Sequence, residues 1–212
     1  MTVTAQSTDL FGAALRGEFC EVVGDGAAAF QLPVARWCGA ADRSDRALLR
    51  HCRGATLDVG CGPGRMVEHL ARAGRAALGI DVSPEAVAST VRRGAAAILR
   101  DVHAPLPAEG RWETVLLADG NIGIGGDPRR LLARVAGLLA PGGRVVVDLA
   151  PPGAGVRTDR VRLRTTAATS EPFAWSTVSV DAIDSLARAA GFVEVRRYCS
   201  GGRWFAVAVK AA

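Results

Sequence analysis

Short apolar runs alternate with amphipathic stretches between residues 55 and 150 of the chain. The runs have the length of buried strands, and the stretches between them repeat their apolar positions at helical spacing. This pattern predicts strands over 55–60, 76–81, 95–101, 112–119 and 144–150, with helices over 64–74, 83–94 and 127–143. Strands that alternate with helices in this way form parallel β-α-β units, so we expect a doubly wound α/β sheet.

The two ends of the chain follow other patterns. A helix over 178–192 and strands over 193–199 and 204–211 close the chain, and a link of hairpin length between those strands predicts an antiparallel pair. Residues 8–52 favour helices, which predicts a helical N-terminal extension over 1–52 before an α/β domain over 53–212. The Pro- and Gly-rich segment 151–178 is expected to be a loop or a short β insertion at one edge of the sheet.

Composition narrows the class of protein. With 212 residues, 49% of them hydrophobic and 22% charged, the chain has the apolar content of a folded domain and not of a disordered one. The net charge is +5, but Lys210 is the only lysine and the arginines are scattered, which disfavours a nucleic-acid partner. No apolar run reaches the roughly 18 residues of a membrane span, and no signal peptide pattern opens the chain, so we expect a cytoplasmic protein. Five cysteines without a CxxC spacing predict no metal site.

The sequence from Leu57 to Arg65, LDVGCGPGR, carries the strongest chemical signal. A buried strand runs into a glycine-rich turn and then a helix, and glycines there let a ligand approach the backbone closely. About 20 residues later the second strand ends at Asp81, where a carboxylate can accept hydrogen bonds from both hydroxyls of a ribose. Together the two features predict a cofactor that contains adenosine.

The spacing of the glycines discriminates between cofactors. A dinucleotide fingerprint that begins at Gly60 would require its third glycine where Arg65 stands. A carboxylate at Asp58 is unfavourable beside a pyrophosphate but suits the ammonium and sulfonium groups of S-adenosylmethionine. The chain contains no G-K-[ST] sequence, which excludes a P-loop.

In its motifs the chain resembles the class I S-adenosylmethionine-dependent methyltransferases. LDVGCGPGR resembles their first motif, GIDVSPEAV (79–87) is similar to their acidic second-strand motif, and LLAPGGRVVVDL (138–149) is similar to their turn and fifth strand. The resemblance covers residues 55–150 and implies a mostly parallel seven-stranded sheet that ends in the antiparallel hairpin. It also implies S-adenosylmethionine as the cofactor.

The resemblance implies a role for individual residues at the cofactor site. Asp58, Gly60 and Gly62 would surround the methionine part, and Asp81 would hold the ribose. The adenine would lie against Val82 and Val102, with Asp101 near its amino group. Asp81 and Asp101 have an alternative interpretation as helix or turn caps.

The loop after the fourth strand is the candidate acceptor site. Asp119 would lie near the transferred methyl group, and Asn121 would face the acceptor, although the glycine-rich run 119–126 also suits a plain loop. His103 is a candidate general base, which is needed only when the acceptor loses a proton during transfer. The N-terminal segment is expected to cover the substrate pocket.

These features predict a methyltransferase that acts on an oxygen or nitrogen of a small molecule, mainly by positioning the two reactants. The sequence Ala118-Asp119-Gly120-Asn121 replaces the Asn/Asp-Pro-Pro-Tyr motif of nucleic-acid amino-methyltransferases, which argues against base methylation. Two alternatives stay open: a non-catalytic binder of S-adenosylmethionine or S-adenosylhomocysteine with the same fold, and an NAD-binding oxidoreductase. The sequence makes no prediction of oligomeric state.

Overall fold

The computed structural model describes residues 3–24 and 27–212. The strands are β1 (Val3–Ala5), β2 (Glu21–Gly24), β3 (Ala27–Gln31), β4 (Thr56–Val59), β5 (Ala77–Asp81), β6 (Ala97–Leu99), β7 (Trp112–Leu117), β8 (Leu139–Leu149), β9 (Val156–Arg164), β10 (Ala168–Ser170), β11 (Phe173–Val178), β12 (Phe192–Ser200) and β13 (Arg203–Lys210). The helices are α1 (Ser7–Leu15), α2 (Val34–Cys38), α3 (Arg43–Leu49), α4 (Arg65–Arg72), α5 (Pro84–Arg92), α6 (Pro128–Leu138) and α7 (Ile183–Ala189), and a 3-10 segment spans Asn121–Gly126.

The predicted α/β sheet is confirmed. Its seven strands among the described residues lie in the order β12-β13-β8-β7-β4-β5-β6. Strands β4 to β8 pair in parallel, whereas β13 is antiparallel to β8 and β12 is antiparallel to β13. The fold class inferred from the sequence therefore holds, including the C-terminal hairpin.

Alternate residues of the central strands belong to two cores on opposite faces of this sheet. Val115 and Leu117 pack in a cluster with residues of α6 and α7, whereas Leu116 packs in a second cluster with residues of α3 and α4. Because side chains alternate along a strand and helices cover both faces, nearly every position of β4 and β7 is buried. This explains why the sequence reads as continuous apolar runs.

The junction between α6 and β8 differs from the prediction. The helix ends at Leu138 and the strand begins at Leu139, so residues 141–143 lie within β8 and not in a turn before it. The extra residues are accommodated by a register shift, since Trp112 pairs with Leu139 and Thr114 pairs with Arg144. The predicted cap of α5 is confirmed: the Ser83 side chain accepts a hydrogen bond from the Ala86 backbone N–H.

A second sheet brings the N-terminal segment and the segment before α7 together. The purely helical interpretation of residues 8–52 was wrong, because β2 and β3 are strands, and the β alternative for 151–178 is the one the structure shows. Strand β9 pairs with β2, β10 and β11, and β1 pairs with β10. The chain thus builds this sheet from both sides of the predicted boundary at residue 52.

No helix within the described ranges combines the length and apolar character that a membrane span requires.

Candidate active site

A cavity of about 810 Å³ lies where the carboxyl ends of the parallel strands meet the second sheet. Ligands bind at this edge in open α/β sheets, and the volume is within the range of about 300–1,000 Å³ that is typical of ligand sites. The glycine-rich turn after β4, the ends of β5 and β6 and the loop after β7 line one side. Residues of α1, α2, β9 and β11 line the other side.

The glycine-rich turn holds two left-handed residues that face this cavity. Gly62 has a φ of 55°, and a Cβ built on it would meet no atom within 4 Å, so a ligand has open space beside its backbone. Gly60 has a φ of 69°, and a Cβ there would lie 2.7 Å from Nδ2 of Asn121. Glycine is therefore required at both positions, at Gly62 by its conformation and at Gly60 also by the close approach of Asn121.

Asp81 lies at the end of β5, as predicted, with a carboxylate that lines the cavity. Its Oδ2 accepts a hydrogen bond from the Gly62 backbone N–H at 2.9 Å, and its Oδ1 accepts one from the Ser83 N–H at 2.8 Å. Burial raises the pKa of this carboxyl, against the lowering effect of the backbone N–H groups of Ser83, Gly62 and Val82. A carboxylate has about four acceptor positions, so two of them are left for a diol.

The residues predicted to surround the adenine all line the cavity. Val82 is 52% exposed, Val102 is buried, and both line the cavity together with Asp101 and His103. The Asp101 Oδ1 accepts a hydrogen bond from the His103 backbone N–H at 2.7 Å. The exposed Val82 side chain provides an apolar surface of the kind that a ring would cover.

Asp58 occupies a different position from the one predicted. It is 1% exposed and does not line the cavity, because it points from β4 toward the opposite face from Leu57 and Val59. Neither carboxylate oxygen has a hydrogen-bond partner among the described residues. Desolvation raises the pKa of this carboxyl to about 7, against the lowering effect of Arg65.

A mostly buried network of ion pairs, which we call the floor network, borders the cavity through Arg36, Arg65, Asp119 and Asp148. Asp45 and Asp119 each contact the same three arginines, which come from α2, the start of α4 and β13: Arg36, Arg65 and Arg203. The third carboxylate, Asp148 at the end of β8, accepts two hydrogen bonds from Arg203 at 3.0 and 2.8 Å. Asp45 is fully buried, which by itself raises its pKa, but hydrogen bonds from Arg65, Arg203 and the Asp42 backbone and the charge of Arg65 together lower the pKa below its ordinary value.

This network fixes Asp119, whose backbone has a left-handed φ of 52°. The carboxylate lines the cavity, and three guanidinium groups contact it, while its place near a transferred methyl group stays a prediction. Asp119 is therefore better suited to positioning and charge balance than to accepting a proton. No sequence motif marks Arg36, Asp45 or Arg203, which lie in three separate segments, and Asp148 lies in the motif at 138–149 without a predicted role.

Asn121 begins the 3-10 segment and links it to the glycine-rich turn. Its Nδ2 donates hydrogen bonds to the backbone oxygens of Val59 at 2.8 Å and Gly60 at 2.9 Å. The side chain lines the cavity, so contact of its remaining oxygen with an acceptor stays a prediction. Its observed contacts hold the turn in place.

The described ranges contain no group of three or more His, Cys, Asp or Glu side chains arranged to hold a metal ion. The five cysteines are free thiols.

Comparisons with known proteins agree with this geometry. Residues 56–143 match a family model described as a methyltransferase domain. No curated protein matches the sequence. A methyltransferase from Bacteroides fragilis, solved with S-adenosyl-L-homocysteine, superposes with a TM-score of 0.83 at 20% identity, over 100% of this chain and 99% of that one.

Two further solved structures have lower overall similarity. The 1,6-didemethyltoxoflavin-N1-methyltransferase of Burkholderia thailandensis gives a TM-score of 0.56 at 23% identity, over 82% of this chain and 79% of its own. A sugar N-methyltransferase from Streptoalloteichus sp. gives a TM-score of 0.57 at 19% identity, over 79% of this chain and 85% of its own. These likenesses show the fold that the chain shares with them.

Proposed function

We propose that this chain transfers a methyl group from S-adenosylmethionine to an oxygen or nitrogen of a small molecule. Two likenesses support the reaction: residues 56–143 match a methyltransferase-domain model, and the chain has the fold of a solved S-adenosylmethionine-dependent methyltransferase. One observation carries the proposal. The open glycine-rich turn and Asp81 meet on a single cavity, and that cavity extends beyond them under the second sheet, where an acceptor has room. The solved neighbours bound to S-adenosylhomocysteine support the choice of cofactor.

The residues present fit S-adenosylmethionine. Asp81 has two free acceptor positions for the ribose hydroxyls, Gly62 leaves space beside the backbone, and Val82 offers an apolar surface to the adenine. When bound, the cofactor supplies a methyl group that is activated by a cationic sulfur. The contribution of the chain is to hold two reactants in line, which removes much of the entropic barrier.

The floor network and Asn121 provide the rigidity that such positioning needs. Asn121 fixes the turn through Val59 and Gly60, and Asp119 is fixed by Arg65 and its two partner arginines. Because these groups are already paired, they need little rearrangement when the reactants bind. His103 also lines the cavity and stays the candidate base for an acceptor that loses a proton during transfer.

The residues that line the cavity support the predicted role of the N-terminal segment as a cover of the substrate pocket. Thr8 and Phe11 of α1, Phe30 of β3 and Trp37 of α2 line the cavity. We further propose a cytoplasmic location, since free thiols suit a reducing compartment.

Methyl transfer is tested with S-adenosylmethionine labelled in its methyl group and a panel of phenols, carboxylic acids and amines. The expected result is formation of S-adenosylhomocysteine that depends on an acceptor and equals the amount of methylated product. A protein that binds the cofactor tightly but produces no labelled product with any of these classes would instead be a non-catalytic binder.

Asp81→Ala is expected to weaken binding of S-adenosylhomocysteine by at least tenfold. Hydrogen bonds to a charged group contribute about 1.5–3 kcal/mol each, and the variant loses both ribose contacts as well as the contact to Gly62. Calorimetric titration measures the dissociation constant, and circular dichroism checks the fold. The matched control is Asp9→Ala, an exposed aspartate outside the cavity, which should bind like the wild type. An unchanged affinity in Asp81→Ala would show that this carboxylate serves only the turn.

A further inference from the structure

One face of the second sheet lines the part of the cavity beyond the cofactor residues. Side chains at alternate positions of β9 and β11 point inward: Arg157, Asp159, Val161 and Leu163 from β9, and Phe173, Trp175 and Thr177 from β11. The five residues at the other positions of β9 are exposed: Val156, Thr158, Arg160, Arg162 and Arg164. This alternation is that of a sheet with one buried and one solvated face, and here the inner face borders a cavity.

Four aromatic rings form a continuous surface on this side, which we call the aromatic wall: Phe11, Trp37, Phe173 and Trp175. The rings of Phe11 and Trp37 lie 5.9 Å apart, and those of Phe173 and Trp175 lie 6.4 Å apart in an edge-to-face arrangement. Phe11 and Phe173 pack on the same hydrophobic cluster around Leu163, which joins the two pairs. All four rings keep part of their surface accessible, so they do not simply fill the core.

The aromatic wall reaches the loop where Asp119 and Asn121 lie. A Cβ built on Gly123 would be 2.6 Å from Nε1 of Trp175, so the loop needs a glycine at that point for the indole to fit. Trp175 pairs across the strands with Asp159, which also lines the cavity. An apolar ring surface and a polar group therefore stand side by side next to the loop after β7.

We propose that the acceptor is a planar aromatic or heteroaromatic molecule whose ring lies against the aromatic wall, with its oxygen or nitrogen directed to the loop after β7. This inference rests on the proposed function and names its substrate class. Aromatic rings stack edge-to-face or offset with one another and gain from this geometry beyond the area that they bury. A saturated ring of the same size lacks that gain.

The test compares probes that differ only in aromaticity, with the protein saturated by S-adenosylhomocysteine. One pair is 2-naphthylmethylamine and its decahydro counterpart, and the other is 2-naphthylmethanol and its decahydro counterpart. Calorimetry is expected to show about tenfold tighter binding of the aromatic member of at least one pair. Equal affinities within both pairs would overturn the inference.

Variants of Trp175 test whether the preference for aromatic probes comes from the aromatic wall. Trp175→Leu keeps apolar volume but removes the ring, so we expect the aromatic preference to fall to about twofold or less, with unchanged affinity for S-adenosylhomocysteine. Trp175→Ala should weaken binding of the aromatic probe by about tenfold. The control Phe19→Ala changes an exposed phenylalanine outside the cavity and should keep the preference. A preference that survives in Trp175→Leu would contradict the proposed wall.

The calorimetric titrations distinguish a failure of the proposed acceptor class from a failure of the proposed function. Normal binding of S-adenosylhomocysteine without aromatic preference rejects the acceptor class alone. Failure of S-adenosylhomocysteine to bind rejects the proposed function, and with it the inference that rests on it.

Discussion

Asp45→Asn is expected to lower the free energy of unfolding by about 3–5 kcal/mol, the range for breaking a buried ion pair by removing one partner. Asp45 is fully buried, and its carboxylate contacts Arg36, Arg65 and Arg203. Without its charge, Arg65 depends on Asp119 and Arg203 on Asp119 and Asp148, whereas the more exposed Arg36 keeps Asp42 as well as Asp119. Arg65 and Arg203 are too buried for water to replace the lost contacts. Urea unfolding followed by circular dichroism measures the change.

The matched control for Asp45 is an exposed ion pair. Glu194 and Arg196 are 47% and 71% exposed, so Glu194→Gln should change stability by about 1 kcal/mol or less. If Asp45→Asn were no more destabilising than this control, the network would not be the rigid floor that we describe.

Asp58→Asn is expected to stabilise the protein at alkaline pH and to have little effect near pH 4. The pKa of Asp58 is about 7 in the folded protein against an ordinary value of 3.8, so the folded state binds more protons between these values. The contribution of this group to stability is therefore full below pH 4 and is lost as the pH rises toward 8. A shift of this size corresponds to about 4 kcal/mol, at about 1.4 kcal/mol for each pKa unit.

The measurement compares urea unfolding of wild type and Asp58→Asn between pH 4.5 and pH 8.5. The difference in free energy of unfolding between the two proteins cancels the opposite pH dependence of carboxyls such as Asp45. The pKa of Asp45 is lowered by Arg65, so its stabilising contribution is lost in acid. Asp9→Asn serves as the exposed control and should give a flat difference. A flat difference for Asp58→Asn as well would mean that this carboxyl has a partner in solution.

Local sequence patterns predicted the central sheet, together with the glycine-rich turn and Asp81 at its carboxyl edge. The glycine-rich turn, the end of β5 and the cap of α5 each lie within a short strand-turn-helix unit, so their geometry follows from neighbouring residues. Asp81 could be placed at the sheet edge for this reason.

The second sheet and the ion network could not be predicted in this way. Strand β2 has four residues and pairs with β9, about 140 positions later. Hydrophobic periodicity indicates local structure only, so it does not predict this pairing. Asp45 lies between Ser44 and Arg46 in a polar helix start and resembles a surface residue, although it is fully buried. Asn121 stays a predicted acceptor contact, but the hydrogen bonds from its amide nitrogen to the backbone of Val59 and Gly60 were not predictable from the sequence.

Calorimetric titration of the full chain with S-adenosylhomocysteine, NAD and NADP tests the central claim most directly. The open backbone at Gly62, the carboxylate of Asp81 and the arginine at position 65 predict a micromolar dissociation constant for S-adenosylhomocysteine and no measurable binding of either dinucleotide. Binding of NAD or NADP in preference to S-adenosylhomocysteine would contradict the account.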